Sequence, residues 1–565
     1  MTGNLGMRAK RTYFVLPAGF IAALGLAGCN SILGLNQLSI GLDQPDGSMM
    51  NDAPPIGPVI DATPDGYIGE CVTNAECTER ATAEATDAGT LPDAADGGAR
   101  VVPAICQKPE ARCVQLLSED CNDITGNYRD DDAIILGTLF STVGAQAATN
   151  LQRQRSATLA IEQINGVGGI PAATPGGPRR PLVMVSCDEA TKVMRAGAHL
   201  VNDLRVPAIV GPNTSQDTID LSNSLTNQAG TVLMTPTAVA SSIPELMDND
   251  MTWLMVPSDK QRGRLMINQI NQLETELKEA RGKATIKLGI VFRNDALGQG
   301  TRSSLNDLVL NGKPLNDPVN AGSVTGNVTI DGYDFVAPNQ DALVNRYVQF
   351  APDIVVLAGT AEAITAVLNP IEQRWADAGG GRPYYVLIDS AKVPELIAAA
   401  ANPDLRARVR GTGITPGPTS DSVKTAFELD YRARYGTSPT ASGVGPAYDA
   451  AYAIAYAMSA IPHDAPVTGP NIAKGLRKLA GGETKVSVGV SGVLPAFSRL
   501  GAGDSISAVG TFLPLEWDDR GAVVGGTIEV WCIGYPANSA AYESSGLLYD
   551  VKKDEVYGTY TACSK

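Results

Sequence analysis

Ile135-Leu136-Gly137-Thr138-Leu139-Phe140, then Ala160-Ile161-Glu162-Gln163-Ile164-Asn165 and Gly168-Gly169-Ile170, is the stretch whose reading decides the fold. The first piece is apolar without alternation, as expected for a strand buried on both faces of a parallel sheet. Leading into the second, Ala157, Ala160, Ile161 and Ile164 fall on one face at helical spacing, so 152–165 reads as a helix. The pattern repeats outward. Apolar runs at 134–140, 181–186, 207–211, 231–234, 286–292, 353–358 and 383–388 alternate with helical patterns such as 266–279, 361–376 and 448–461. Alternation of this kind predicts an α/β architecture with right-handed crossovers. Roughly a dozen such units exceed one usual sheet, so two lobes are expected rather than one.

The N-terminal end reads differently. Leu26-Ala27-Gly28-Cys29 closes a short apolar run that follows Arg8, Lys10 and Arg11. Basic, apolar, small and then Cys is the order of a bacterial secretion signal, and the run is interrupted by Pro17 and short for a spanning helix. It resembles the lipobox of bacterial lipoproteins, which implies acylation of Cys29, removal of 1–28 and a lipid tether outside the cytoplasm. Residues 29–70 read as a flexible acidic linker and 71–132 as a small Cys-rich module. Within that module 79–100 reads as a loose loop between disulfide-pinned ends.

The chain has 565 residues, 44% of them hydrophobic, so a large core is available. Its net charge of −16 argues against nucleic acid and against a basic membrane-binding face. Residues 30–133 hold 19 acidic and 5 basic residues, so most of the acidity belongs to the tether and module. Beyond Cys29 there are eight cysteines: Cys71, Cys77, Cys106, Cys113, Cys121, Cys187, Cys532 and Cys563. An even number outside the cytoplasm reads as disulfides, and no CxxC spacing suggests zinc or redox chemistry. With only His199 and His463, and no GxSxG, HExxH or P-loop pattern, the sequence offers no nucleophile or metal constellation. No enzymatic activity, cofactor or metal is expected. Gly411-Thr412-Gly413 reads as a passage between lobes, and Asp518-Asp519 beside Gly521 as a solvated turn.

Several stretches, in order, resemble the type 1 periplasmic binding proteins, specifically the leucine/isoleucine/valine-binding branch. The opening quoted above is similar to that family's "A-x-x-x-I-N-x-x-G-G-I". Cys187-Asp188-Glu189 stands at its acidic turn. Ile209-Val210-Gly211-Pro212-Asn213-Thr214-Ser215 resembles "I-G-x-x-x-S", and Leu233-Met234-Thr235-Pro236-Thr237-Ala238 resembles "I-S-P-x-A". Val256-Pro257-Ser258-Asp259 is similar to the first crossover, and 292–300 to "D-x-x-Y-G-x-G". Residues 447–452 and 515–521 match a late helix and the terminal hairpin. The likeness runs from about 133 to about 535. It implies two Rossmann-like lobes in a Venus-flytrap arrangement joined by three crossovers: lobe 1 at 133–255 and 418–510, lobe 2 at 256–417 and 511–565.

The resemblance also implies a small ligand, an amino acid or a related organic molecule, held between the lobes for an ABC-type permease. The alternative is a sensing or scaffold lipoprotein that kept the fold without transport. The positions it points to are Ser215, Thr235, Thr237, Ala238 and, from the second lobe, Leu297 and Asp389. Each also has a plain local reading: Ser215 and Asp389 as helix caps, Thr235 and Thr237 as parts of a Thr-Pro turn. Leu297 replaces the family's tyrosine, and Val239 its ammonium-holding threonine. These departures favour a ligand that is less polar or lacks an ammonium. In the family a cysteine at position 187 bridges to a neighbouring strand end, which here is Thr214. Cys187 is therefore expected to pin the Cys-rich module, leaving Cys532 and Cys563 to each other.

Overall fold

The computed structural model describes residues 71–563, apart from 90–100, 109, 145, 191, 322–325, 337–338 and 376–380. The secretion signal, Cys29 and the acidic linker lie outside the described residues.

Two sheets organise the chain. The first runs, in spatial order, Cys121–Thr125, Leu182–Asp188, Ile134–Phe140, Ala208–Val210, Val232–Thr235 and Thr252–Leu254. All neighbours are parallel except the first pair. The second runs Val328–Tyr333, Leu288–Arg293, Ile354–Ala358, Tyr384–Ile388 and Val409–Thr415, all parallel. It then continues through the antiparallel strands Thr527–Gly534, Ala541–Asp550 and Glu555–Gly558. The five parallel strands of each sheet are wound in the same order, with the first-formed strand between the second and third. That winding reverses direction beside the first strand, and the reversal leaves a crevice at the carboxyl ends of the strands.

The central strands of each sheet are buried on both faces, which is why they read as unbroken apolar runs. On one side of the first sheet Leu136, Met184 and Val210 pack on the helices Ala147–Gly166 and Val444–Ser459; on the other, Ile135, Val183 and Ile209 pack with Leu200 and Leu221. The second sheet repeats this with Val355 and Leu387 on one face and Ile290 and Val356 on the other. The chain passes between the sheets three times: into the helix Asp259–Arg281, back into the helix Asp421–Tyr435, and out again to Thr527–Gly534. The helix Asp259–Arg281 begins at a Ser258/Gln261 capping box and ends at Gly282 in the left-handed region, both ordinary stops for a long helix. Among the described residues no helix is long and apolar enough to cross a membrane.

Three details differ from the expectations. Residues 79–87, expected as loop, are the body of the helix Asn74–Asp87, capped by Thr73. A disulfide at Cys77 and burial of Thr78 and Ala81 give one face of this Ala/Thr-rich segment something to pack on. Gly411-Thr412-Gly413 lies inside the strand Val409–Thr415, where Gly411 makes room for the Trp531 ring. Leu513, Leu515, Trp517 and Val523, placed above with the second lobe, contribute to the first core.

The Cys-rich segment has a small core of its own, fastened by Cys71–Cys106 and Cys77–Cys113. These bridges close loops of 35 and 36 residues, worth about 4 kcal/mol each on the chain-entropy view. The period-2 alternation of the hairpin strand Ala104–Gln107 sends Ala104 and Cys106 into that small core and Ile105 into the core of the first sheet. The segment then runs on into the sheet itself, as the edge strand Cys121–Thr125, locked by Cys121–Cys187. Cys532 and Cys563 tie down the C-terminal tail.

Candidate functional site

In sheets wound this way, loops at the carboxyl ends of the strands surround the crevice. On the first sheet these loops carry Ser141, Glu189, Asn213 and Thr237. Gly211, at φ +115° before a cis Pro212, passes so close to strand Ile134–Phe140 that any Cβ would strike the Leu139 carbonyl. That close approach brings Asn213 over the strand ends.

Arg153 lies across them. It projects from the helix Ala147–Gly166 and is 6% exposed. Its Nε donates to the Ser442 carbonyl at 2.8 Å and its Nη1 to Asn150 Oδ1 at 2.7 Å and to Asn213 Oδ1. Nη2 reaches Ser442 Oγ at 3.3 Å. Every one of these acceptors is neutral. Burial lowers the Arg153 pKa to about 10, with Glu189 and Asp389 opposing the shift, so the charge persists at neutral pH. Glu189 accepts from the Asn213 amide and from Ser141 Oγ, and burial, with Asp217 adding, pushes it up to about 8. It makes no hydrogen bond or ion pair with Arg153 among the described residues.

The second sheet presents carboxylates at the corresponding ends, but each is engaged. Arg262, 2% exposed on the helix Asp259–Arg281, donates to Asp259 Oδ1 at 2.9 Å and to Asp389. Burial opposes the charge of Arg262, and the Asp389 and Asp259 carboxylates more than offset it. Burial raises Asp259, with Arg262 opposing and Asp389 adding. Asp295 caps the helix Ala296–Ser304 and takes Arg293 Nε at 2.7 Å. Glu362 accepts from Arg293, the Thr360 amide and Tyr333 OH.

The sequence-indicated residues divide. Ser215 is buried; its Oγ accepts from the Val239 and Ala240 amides at 3.1 and 3.2 Å. It is not the helix cap: Thr214 caps, taking the Asp217 amide, because its backbone is extended while Ser215 is already helical. Thr235 donates to the Pro212 carbonyl and accepts from the Ala238 amide, and Thr237 donates to Asn213. These three, with buried Ala238, form one cluster with Asn213. Asp389 opens a short 3₁₀ turn, but its side chain is drawn to Arg262. Leu297 does not join them; it packs on the core of the second sheet.

Sequence reading missed Arg153 and Arg262. Both break an apolar stripe at its first turn: 153 with 157, 160, 161 and 164, and 262 with 266, 270, 273 and 277. A charge on a buried face was the available signal.

The periplasmic binding protein family model matches residues 133–489. Among solved structures, leucine-binding protein LivK from Thermotoga maritima shares 15% identity at a TM-score of 0.51, over 73% of this chain and 97% of that one. A periplasmic binding protein type 1 from Bordetella pertussis shares 15% at 0.51, over 73% and 100%. The solute binding protein of an ABC transporter from Rhodopseudomonas palustris, in complex with 3,4-dihydroxybenzoic acid, shares 12% at 0.51, over 77% and 98%. At these identities the likeness is one of fold. No curated protein sequence matches the chain.

Proposed function

This chain belongs to the periplasmic binding protein family, and we propose that it captures a small organic ligand between its two halves, outside the cytoplasm, and delivers it to an ABC-type importer. The observation that carries the reading is electrostatic. Arg153 stands at the strand ends of the first sheet, where its winding reverses, and Asp389 at a strand end of the second, and the two charges attract each other. A ligand placed there touches both halves and favours their closed arrangement, the form a permease distinguishes from the open one. The structural relative in complex with 3,4-dihydroxybenzoic acid supports a ligand of that size. Ser215 and Thr237 are the first-half residues proposed to meet it. The lipobox-like Leu26-Ala27-Gly28-Cys29 supports a lipid tether at Cys29, with the acidic linker as spacer.

Thermal unfolding against amino acids, amides, short peptides and aliphatic and aromatic acids tests the reading. One class raises the melting temperature saturably, by the equivalent of about 2.7 kcal/mol at a hundredfold excess over Kd. No shift with any class overturns it. Deleting the chain from its host should abolish uptake of that ligand; undiminished uptake removes the importer role. Cys29→Ala should release the chain from the membrane fraction.

A further inference from the structure

The hydrogen bonds at the strand ends of the first sheet are one-sided. Arg153 has five N–H groups and four acceptors, which leaves one Nη2 hydrogen unused. Asn150, fully buried beside it, accepts from Arg153 on its Oδ1 and has no acceptor for its Nδ2 among the described residues. Ser215 Oγ accepts two amides and keeps its own proton to donate. A buried cation held only by neutral groups thus keeps one N–H unused, Asn150 beside it keeps a second donor, and Ser215, on the helix that follows the loop of Asn213, keeps a third. What they lack is an acceptor, preferably a charged one.

The facing half offers an ammonium no uncancelled carboxylate charge. Asp389 is bound to Arg262, while Asp295 and Glu362 are bound to Arg293, Thr360 and Tyr333. Two carboxylate oxygens there accept no hydrogen bond among the described residues: Asp259 Oδ2, enclosed beside Gly300, and Asp389 Oδ2, whose carboxylate is already paired with Arg262. Arg153 has no carboxylate in hydrogen-bond or ion-pair contact among the described residues.

We infer that the ligand is a small organic carboxylate that carries no ammonium group, its carboxylate received by Arg153 and Ser215. This rests on the reading that the ligand sits between the halves. It narrows that reading: an α-amino acid supplies the anion but leaves its desolvated ammonium only a carboxylate whose charge Arg262 already cancels.

Calorimetric titration of the full chain with two matched series decides it. The first is 4-methylpentanoate, leucine and 4-methylpentanamide; the second is 3-phenylpropanoate, phenylalanine and 3-phenylpropanamide. In at least one series the acid should bind at least tenfold more tightly than both the amino acid and the amide. Arg153→Gln should weaken the acid at least a hundredfold and leave the amide within threefold. If that variant fails to fold, Ser215→Ala serves, with about a tenfold loss for the acid alone. An amino acid or amide that binds as tightly as its acid, or an acid indifferent to both substitutions, overturns the inference and leaves the binding function standing. No binding by any of the six, together with no thermal shift across the wider panel, overturns the binding function itself.

Discussion

Two buried arginines, one in each half, are treated in opposite ways. Arg262 stands on the first turn of its long helix and Arg153 on the second turn of its own, both on the face turned to the protein. Arg262 is clasped by Asp259 and Asp389, so its charge is cancelled where it lies. Arg153 is held by an asparagine pair and a serine, so its position is fixed and its charge is left over. A buried charge with counter-ions holds structure together; one fixed by neutral groups is stable only with something still to bind, or at a cost to the fold.

The largest expected effect sharpens this contrast at Glu189, the carboxyl beside Arg153. Unfolded, it loses its proton near 4.5; folded, it keeps it to about 8. Folding thus takes up a proton in that window. The stability this group contributes is full below about pH 4.5 and is lost as pH rises through 8, up to ~5 kcal/mol for a shift of this size. Glu189→Gln should remove most of that loss, read as urea midpoints at pH 5 and 8.5. An equal drop in both proteins would make Glu189 an ordinary counter-ion of Arg153 and erase the distinction between the arginines.

Next come the arginines themselves. Arg262→Met strands two carboxylates and should cost about 3–5 kcal/mol. Arg153→Met strands only neutral acceptors and should cost about 1–3 kcal/mol. Denaturant titration of both separates them, and equal costs would break the comparison. Gly443→Ala follows at about 1–3 kcal/mol: Gly443 has φ +77°, and a Cβ there would strike the Thr237 methyl beside Arg153 Nε. It should also weaken ligand binding, since Ser442 next to it holds the guanidinium; an unchanged affinity would show that Arg153 needs no such support. Smallest is Arg434→Ala. Its two 2.8 Å bonds to Glu162 lie on the surface, so less than about 1 kcal/mol is expected, and a larger loss would mean that exposed pairs matter here as buried ones do.

The fold was legible because the central strands of both sheets are buried on both faces. Apolar runs such as 134–140 and 353–358 need no partner to be recognised, and the helical stripe of 157, 160, 161 and 164 marks its own buried side. The helix Asn74–Asp87 was illegible for the converse reason: its Ala/Thr composition carries no stripe, and disulfides rather than apolar area hold it. At the site, residues close to their partners in sequence were readable, as with Ser215 and Thr237 on consecutive strand ends. The roles of Arg153 and Asp389 depend on groups far along the chain: Ser442 lies 289 residues from Arg153, and Asp389 lies 127 from Arg262. Spacing says nothing about such pairs. Leu297 shows the same limit, since replacing a tyrosine by leucine did not reveal that the side chain turns into the core.

The most direct test is native mass spectrometry of the chain purified from its own host, followed by release and identification of whatever it retains. One small carboxylic acid per chain, free of amine, is the predicted result. A retained α-amino acid or an uncharged molecule such as a sugar would contradict the role given to Arg153.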